Sequence, residues 1–522
     1  MSDAFIEDLI AAGVFPSQAP VEHIETHISH VLLTDDLAYK IKKPVNLGFV
    51  DFSSLQRRRF FCEEELRLNR RLAPELYLAV ATLNRQGSRY ALDAPGQVVE
   101  YVLVMARFDR QQELHRLVGS SSVTREMMQR FAHDLADFHA RAQRAGEQDE
   151  FGECETVRAE TLDNFRVMEK LGAGGQMSPR LDEIENWSRQ ALGNLEVLMH
   201  SRKPAGMVRE CHGDLHLRNL VVIKGRITAF DCLEFNPGFR WIDVCSEVAF
   251  FLMDLVEHRR RDLARVFLNA YLDHAGDFVM LRLLRFYLVY RAMVRAKVAM
   301  FAARDGIDGE QSEQECLNYL AYAHAVIHEQ RNPVLVITCG LSGSGKTYIT
   351  DSLLSLVDVV RVRSDLVRKR LFEIAPMDRS AMGDDEGVYS GQSSEQVYRL
   401  LTAHAEDVIE AGYPVIVDAT FIQARHRQAM RNLAKRLDVP FRIAHFEAGT
   451  DVLRQRITQR LDANADASDA DLRVLEKQLA SFEPLTTTEA PHVVNAASDS
   501  EWDQSRASQL CVELGLIQQL RK

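Results

Sequence analysis

The eight cysteines stand at positions 62, 154, 211, 232, 245, 316, 339 and 511, and no two of them form a C-x-x-C pair. That scatter offers neither a zinc site nor a disulfide framework, so reduced, mostly buried thiols are expected. No apolar run approaches the length of a membrane span. The opening residues Met1-Ser2-Asp3-Ala4-Phe5-Ile6-Glu7-Asp8 are acidic where a secretory signal is basic. A cytoplasmic protein with no membrane segment is expected. Positive charge is in deficit, 63 Lys+Arg against 75 Asp+Glu for a net of -12, which removes any general pull toward nucleic acid or anionic lipid and makes small molecules the expected partners. There is no internal repeat and no extended low-complexity tract; the Ala/Asp cluster at 462–471 comes closest and reads as a mobile loop. Nothing in the sequence sets an oligomeric state.

What is present is length and a phosphate-binding signature. At 522 residues and 46% hydrophobic, the chain exceeds one ordinary core and divides into two or three domains. Gly340-Leu341-Ser342-Gly343-Ser344-Gly345-Lys346-Thr347 fits G-x-x-x-x-G-K-[ST] and directly follows the apolar run Val334-Leu335-Val336-Ile337. The glycines let backbone N–H groups curl round phosphates, the following helix offers its positive end, Lys346 reaches the β/γ-phosphates, and Thr347 can hold Mg²⁺. Asn332-Pro333 breaks the preceding helical pattern, so the domain boundary is placed at 330/331. Beyond it strands at 359–363, 415–418 and 441–446 alternate with helices, the pattern of an α/β doubly wound parallel sheet in residues 331–522.

Before the boundary the order is strand, helix, strand, then mostly helix. Residues 30–33 and 37–41 read as a hairpin, Ser53-Ser54-Leu55-Gln56 as a capping box opening a helix over 57–72, and 98–105 as a strand. A second hairpin, Leu220-Val221-Val222-Ile223 and Arg226-Ile227-Thr228-Ala229-Phe230 around Lys224-Gly225, delivers Asp231 at its exit. Amphipathic helices are expected over 241–257, 258–303 and 311–330.

His212-Gly213-Asp214-Leu215-His216-Leu217-Arg218-Asn219 contains H-x-D-x-x-x-x-N, with Asp231 just beyond the hairpin that follows. In phosphoryl transfer one Asp orients and deprotonates the acceptor hydroxyl, while an Asn and a second Asp hold Mg²⁺ against the nucleotide. On these residues the chain resembles the aminoglycoside phosphotransferase and choline kinase branch of the protein-kinase-like fold, over 1–330, with a small lobe at about 1–108 and a helical lobe at about 109–330. The resemblance implies an α+β kinase-like domain with Asp214 as catalytic base, Asn219 and Asp231 as metal ligands, Asp243 as a structural aspartate and His212 as scaffold. Ala38-Tyr39-Lys40 resembles the kinase A-x-K, whose lysine contacts the α/β-phosphates and pairs with a Glu. Lys40 is the choice, Lys42 on the same strand face is the alternative, and the partner is Glu65 or Glu64. One departure stands out: no G-x-G-x-x-G precedes Lys40, where the chain reads Thr26-His27-Ile28-Ser29.

In the second domain, Asp365 and Arg368 in Arg363-Ser364-Asp365-Leu366-Val367-Arg368 form a D-x-x-R that resembles phage polynucleotide kinase, zeta toxin and gluconate kinase. That resemblance implies Asp365 as base and Arg368 as the grip on the acceptor, and it extends less specifically to Arg425. Val415-Ile416-Val417-Asp418 ends where a metal-side aspartate belongs. Arg454, Arg456 and Arg460 precede the 462–471 loop as lid arginines would, with Arg456 and Arg460 as the choices for the site. Together with Tyr39-Lys40-Ile41-Lys42-Lys43-Pro44 and Leu68-Asn69-Arg70-Arg71-Leu72-Ala73-Pro74, these features resemble bacterial bifunctional aminoglycoside phosphotransferase/ATP-binding proteins. The expected activity is ATP- and Mg²⁺-dependent phosphoryl transfer to small-molecule hydroxyls at two sites. The alternatives are a nucleic-acid or nucleotide 5′-hydroxyl kinase, which a basic groove of Arg361, Arg363, Arg368, Lys369 and Arg370 would favour, and an ATP-binding regulator without transfer.

Overall fold

Six strands precede residue 107, most of them rich in Val, Leu, Ile or Tyr, and in the computed structural model they pair into one sheet. The structure describes residues 3–48, 50–172, 178–304, 309–374, 391–463, 471–496 and 502–517. The strands β1 (Glu22–Glu25), β2 (Ser29–Leu33), β3 (Leu37–Lys42), β4 (Tyr77–Gln86), β5 (Arg89–Leu92) and β6 (Gln97–Ala106) lie in the order β1-β2-β3-β6-β4-β5, each pair antiparallel. Of these, β1, β4 and β5 were not expected. Charged residues obscure β1, and β4 ends in Asn84-Arg85-Gln86; the usable signal was Gly87 (φ 63°), which closes the β4–β5 hairpin.

The helix Leu55–Asn69 crosses this sheet. Its cap is Ser54, whose hydroxyl accepts the Arg57 N–H at 3.2 Å, so no capping box opens at Ser53. The Ser53 N–H instead donates to Asp51 at 3.0 Å. Helices Arg125–Arg141, Cys154–Lys170 and Ser178–Arg202 follow, then β7 (Val208–Glu210), the tight hairpin β8 (Leu220–Ile223) and β9 (Arg226–Ala229), and β10 (Trp241–Asp243). The expected helix from 241 begins only at Val244: residues 241–243 pair with β7, and Asp243 accepts the Cys245 N–H at 2.8 Å as the cap. The expected helix over 258–303 is likewise two, Arg261–Ala275 and Leu281–Arg304, because Gly276 takes a left-handed C-cap at φ 74°.

A second sheet is built from β11 (Leu335–Cys339), β12 (Val360–Arg363), β13 (Val415–Asp418), β14 (Phe441–His445) and β15 (Val493–Asn495), all parallel in the order β12-β13-β11-β14-β15. Val336, Ile349, Leu353, Ile416, Phe446 and Leu510 pack in the core on one side of it.

By contacts the chain forms two compact units, Met1–Arg259 with Tyr287–Ala323, and Arg260–Phe286 with His324–Lys522. The division drawn from sequence at 330/331 differs from this over Arg260–Phe286 and over 324–330. The reason lies at the edge strand β12. Asn269, on the helix Arg261–Ala275, donates to the Val359 carbonyl and accepts the Arg361 N–H, both at 2.9 Å, so an amide side chain completes the ladder that an edge strand leaves open. Among the described residues no helix is long and apolar enough to cross a membrane.

Candidate active sites

In the first unit β3 delivers Lys40 to the wall of a cavity of about 530 Å³, lined also by Thr26, Ile28, Tyr77, Asn219, Asp231 and Glu234. The Lys40 ammonium donates to Glu65 at 2.7 Å and to Asp231 at 2.8 Å. Burial opposes that charge, but Asp231, Glu65 and Glu234 outweigh burial and hold the ammonium well above the usual lysine range. Lys42, two residues on, does not line the cavity. It is 1% exposed and donates to Glu65 at 2.5 Å and to Glu234. Glu65 is therefore the partner of both lysines, whereas Glu64 pairs with Arg67 and Arg240. Burial would raise the Glu65 carboxyl, yet Lys40 and Lys42 bring it down to about 2.

The turn after β7 places Asp214. Its backbone carbonyl and carboxylate accept the Asn219 amide at 3.0 and 2.9 Å, and its Oδ2 lies 3.2 Å from His216 Nε2. Because His216 Nδ1 accepts the Arg218 N–H at 3.2 Å, Nε2 carries the proton and donates to Asp214. Burial would push the Asp214 carboxyl up, but His216, with Arg295 and His212 behind it, holds it well below the usual carboxylate range. His212 is fully buried, bonded to the Phe230 carbonyl at 2.9 Å, and belongs to the scaffold. Glu247 steadies the same turn, accepting the Gly213 N–H at 2.7 Å and facing His139 at 2.8 Å. Asp243 forms a two-point pair with Arg202 at 2.7 and 2.8 Å, a structural role.

Asp231 leaves the β8–β9 hairpin at φ 62°, a conformation that costs a non-glycine residue about 1–3 kcal/mol unless its surroundings impose it. They do: its N–H donates to Tyr77 Oη at 3.0 Å, the Cys232 N–H to Asn69 at 2.9 Å and the Leu233 N–H to the His212 carbonyl at 3.2 Å. Asn219 uses its amide N–H groups on Asp214, and Asn219 and the half-exposed Asp231 carboxylate both line this cavity. Two hard oxygen donors on one cavity wall suit Mg²⁺. The hairpin turn at 26–29, where a glycine-rich loop was missing, is held by Thr26: its hydroxyl accepts the Ser29 N–H at 2.9 Å.

In the second unit, residues 340–347 turn from β11 into the helix Lys346–Leu353, with Gly343 at φ 84° and Gly345 at φ 87°. Lys346 Nζ donates to the carbonyls of Gly340 at 3.0 Å and Leu341 at 2.8 Å, and reaches Ser344 Oγ at 3.4 Å. A cavity of about 420 Å³ opens here, lined by Ser342, Gly343, Gly345, Lys346 and Thr347 together with Asp365, Arg368, Asp418 and Arg456. Asp418, at the end of β13, is buried, and its oxygens lie 3.5 Å from the Thr338 and Thr350 hydroxyls. The Thr347 hydroxyl and the Asp418 carboxylate are again an oxygen pair suited to Mg²⁺. Arg425 also lines the cavity, paired with Glu395 at 2.6 Å, whereas Arg454 is tied to Glu476 at 2.8 Å. The Arg460 side chain and residues 464–470 of the expected loop lie outside the described residues.

Sequence reasoning passed over several lining residues. Gln478 accepts the Ser342 N–H at 2.8 Å and donates to Ser342 Oγ at 3.0 Å. Tyr398 stacks on His426 with ring centroids 3.7 Å apart. Glu234 was visible only as the fourth residue of Asp231-Cys232-Leu233-Glu234. No spacing rule marks these positions: Gln478 and Tyr398 reach the second cavity from distant segments, and Glu234 is buried against Lys42 of β3. Of the five basic residues considered for a polynucleotide groove, Arg361 and Lys369 are buried and Arg370 is turned onto the carbonyls of Leu272 and Asp273, while Arg368 lines the cavity.

The two units are a kinase-like domain of the aminoglycoside phosphotransferase type and a P-loop kinase domain on a parallel sheet. Residues 52–284 match the Phosphotransferase enzyme family and residues 335–485 the AAA domain family. Uncharacterized proteins of Mycobacterium tuberculosis (strain H37Rv) and Mycobacterium bovis are each 31% identical over 447 residues, 85% of this chain and 87% of theirs. The chain belongs to their family. Solved structures similar to parts of it include a choline/ethanolamine kinase family protein from Mesorhizobium loti (10% identity, 62% of this chain and 95% of that one, TM-score 0.38) and a gluconokinase from Sinorhizobium meliloti (15%, 35% and 97%, TM-score 0.26).

Proposed function

We propose that the protein is an ATP-dependent phosphotransferase with two kinase sites, each moving the γ-phosphate of ATP to a hydroxyl of a small molecule. The observation that carries this reading is the convergence of Lys346, Asp365, Arg368 and Asp418 from three separate segments on one cavity, alongside the parallel set Lys40, Asp214, Asn219 and Asp231 in the first unit.

In the first site Lys40 holds the α/β-phosphates, Asn219 and Asp231 hold Mg²⁺, and Asp214 orients the acceptor hydroxyl. A carboxylate held so far below its usual range is a weak base toward a ground-state alcohol. That suits phosphoryl transfer, where the new O–P bond forms as the bond to the departing ADP breaks and the hydroxyl proton passes to the Asp late. In the second site the backbone N–H groups of 340–347 and Lys346 grip the phosphates, Thr347 and Asp418 hold Mg²⁺, Asp365 takes the hydroxyl proton, and Arg368 and Arg456 offset charge on the transferred group. When bound, Mg²⁺ neutralises charge developing on the phosphates. Around this second cavity Lys346, Arg368, Arg425, Arg456 and Lys477 outnumber Asp365 and Asp418. That balance disfavours a polycationic acceptor and supports a neutral or anionic one.

The test is ATP consumption by the purified protein with Mg²⁺ across sugars, aminoglycosides, nucleosides and 5′-hydroxyl oligonucleotides, beside Asp214→Asn and Asp365→Asn. Loss of a proton acceptor lowers turnover by about 10²–10⁴-fold, so acceptor-dependent turnover should collapse in one variant or the other. Turnover unaffected by both substitutions would defeat the reading.

A further inference from the structure

Nothing in the phosphotransfer reading requires a second lysine at Glu65, yet the chain buries one. Lys42 and Glu234 complete a chain of alternating charges, Asp231, Lys40, Glu65, Lys42 and Glu234, whose two ends lie on the same four-residue loop. Only the Asp231 end is open to solvent: Lys40 is 14%, Glu65 0%, Lys42 1% and Glu234 5% exposed, whereas the Asp231 carboxylate is 46% exposed. We infer that Lys42 and Glu234 are positioning residues of the first site, which pin the loop carrying Asp231 and satisfy Glu65 so that Lys40 can leave Asp231 for a phosphate. This inference rests on the kinase reading of that site.

The physical argument is one of charge supply. Lys40 already divides its ammonium between Glu65 and Asp231, and if it alone faced Glu65, moving it toward a phosphate would strand a buried carboxylate at high cost. Lys42 removes that constraint by staying on Glu65 when Lys40 moves. It is held there by Glu234, whose own carboxyl is pushed up by burial and by Glu65, against the pull of Lys42. The Glu234 carboxylate is also the only side-chain anchor of the loop to β3 apart from Asp231 itself among the described residues. Elsewhere the loop is anchored by the backbone N–H groups of 231–233 on Tyr77, Asn69 and His212, by the Cys232 thiol on the His212 carbonyl, and by Arg240 donating to the carbonyls of Leu233 and Glu234. Cutting the Lys42–Glu234 pair therefore leaves Asp231 in its left-handed conformation with one fewer restraint.

The experiment uses the full-length protein and two independent variants, Lys42→Met and Glu234→Gln, the second of which keeps shape and an acceptor if the first fails to fold. Amide hydrogen exchange at residues 231–233 is expected to accelerate at least tenfold in both, with exchange in β4 and β6 unchanged. Asp214-dependent turnover is expected to fall about 10–100-fold, the usual cost of losing a group that orients a metal ligand. KM for ATP should change less than in Lys40→Met, and Lys42→Arg should recover part of the loss. Exchange at 231–233 equal to wild type in both variants overturns the inference, whatever turnover does. Accelerated exchange in a protein without Asp214-dependent turnover upholds the positioning role and instead removes the kinase reading.

Discussion

Substituting Asn269 with alanine tests whether the helix Arg261–Ala275 is an integral part of the P-loop unit. The side chain is 2% exposed, and its amide satisfies the Val359 carbonyl and the Arg361 N–H on edge strand β12. Alanine leaves both backbone groups buried without a partner, and each such group costs about 1–3 kcal/mol, so about 2–6 kcal/mol in all. In a unit of this size each kcal/mol moves the thermal midpoint by about 2–4 °C, which predicts a fall of at least about 4 °C. Trp502 donates to Ser352 at 2.9 Å inside this unit, whereas the other two tryptophans, Trp187 and Trp241, lie in the first unit. With those two changed to phenylalanine, the fluorescence of Trp502 follows the P-loop unit alone. Asn269→Asp should recover part of the loss, because a carboxylate still accepts the Arg361 N–H. A loss under about 0.5 kcal/mol in Asn269→Ala would refute the ladder argument, since that is the range of substitutions that touch nothing.

Gly343→Ala forces a side chain into φ 84° with its Cβ 2.9 Å from the Leu453 carbonyl; Asp365-dependent turnover should be lost while Asp214-dependent turnover persists, as parallel assays of both would show. Glu65 titrates near 2 in the folded protein against an ordinary 4.5, so its stabilising contribution is complete above pH 4.5 and is lost as pH falls from there toward 2. Unfolding midpoints between pH 6 and pH 3 should therefore fall less steeply in Glu65→Gln, and equal slopes would contradict the pairing with Lys40 and Lys42. All eight cysteines are buried, and burial pushes the thiols of Cys339 and Cys511 up to about 11. Titration with a thiol reagent should thus find no reactive group until denaturant is added.

Much of the machinery was legible along the chain because its parts are local. The phosphate loop needs glycines at fixed offsets between a strand and a helix, and the turn from His212 to Asn219 needs its Asp and Asn five residues apart, so both signals survive in one dimension. Asp231 could be read from the hairpin that delivers it. The strand β1 was hidden because three of its four residues are polar, and the break at Gly276 was hidden inside a continuous helical pattern. The choice of Lys40 left Lys42 as an alternative, because both lie on one face of β3 at a spacing of two, and only the tertiary packing shows that Lys40 lines the cavity while Lys42 turns to Glu234.

The amino-acid sequence by itself therefore determined two kinase-like domains, their order along the chain and the local motifs each carries, since spacing along a strand, turn or helix start is enough to record these. Tertiary structure alone decided which charges share a site. Glu234 meets Lys42, Gln478 meets Ser342, and Asn269 completes β12, pairs separated by 192, 136 and 90 or more residues. Such contacts follow from which buried polar groups must find partners once the apolar faces have packed, and no local pattern records that.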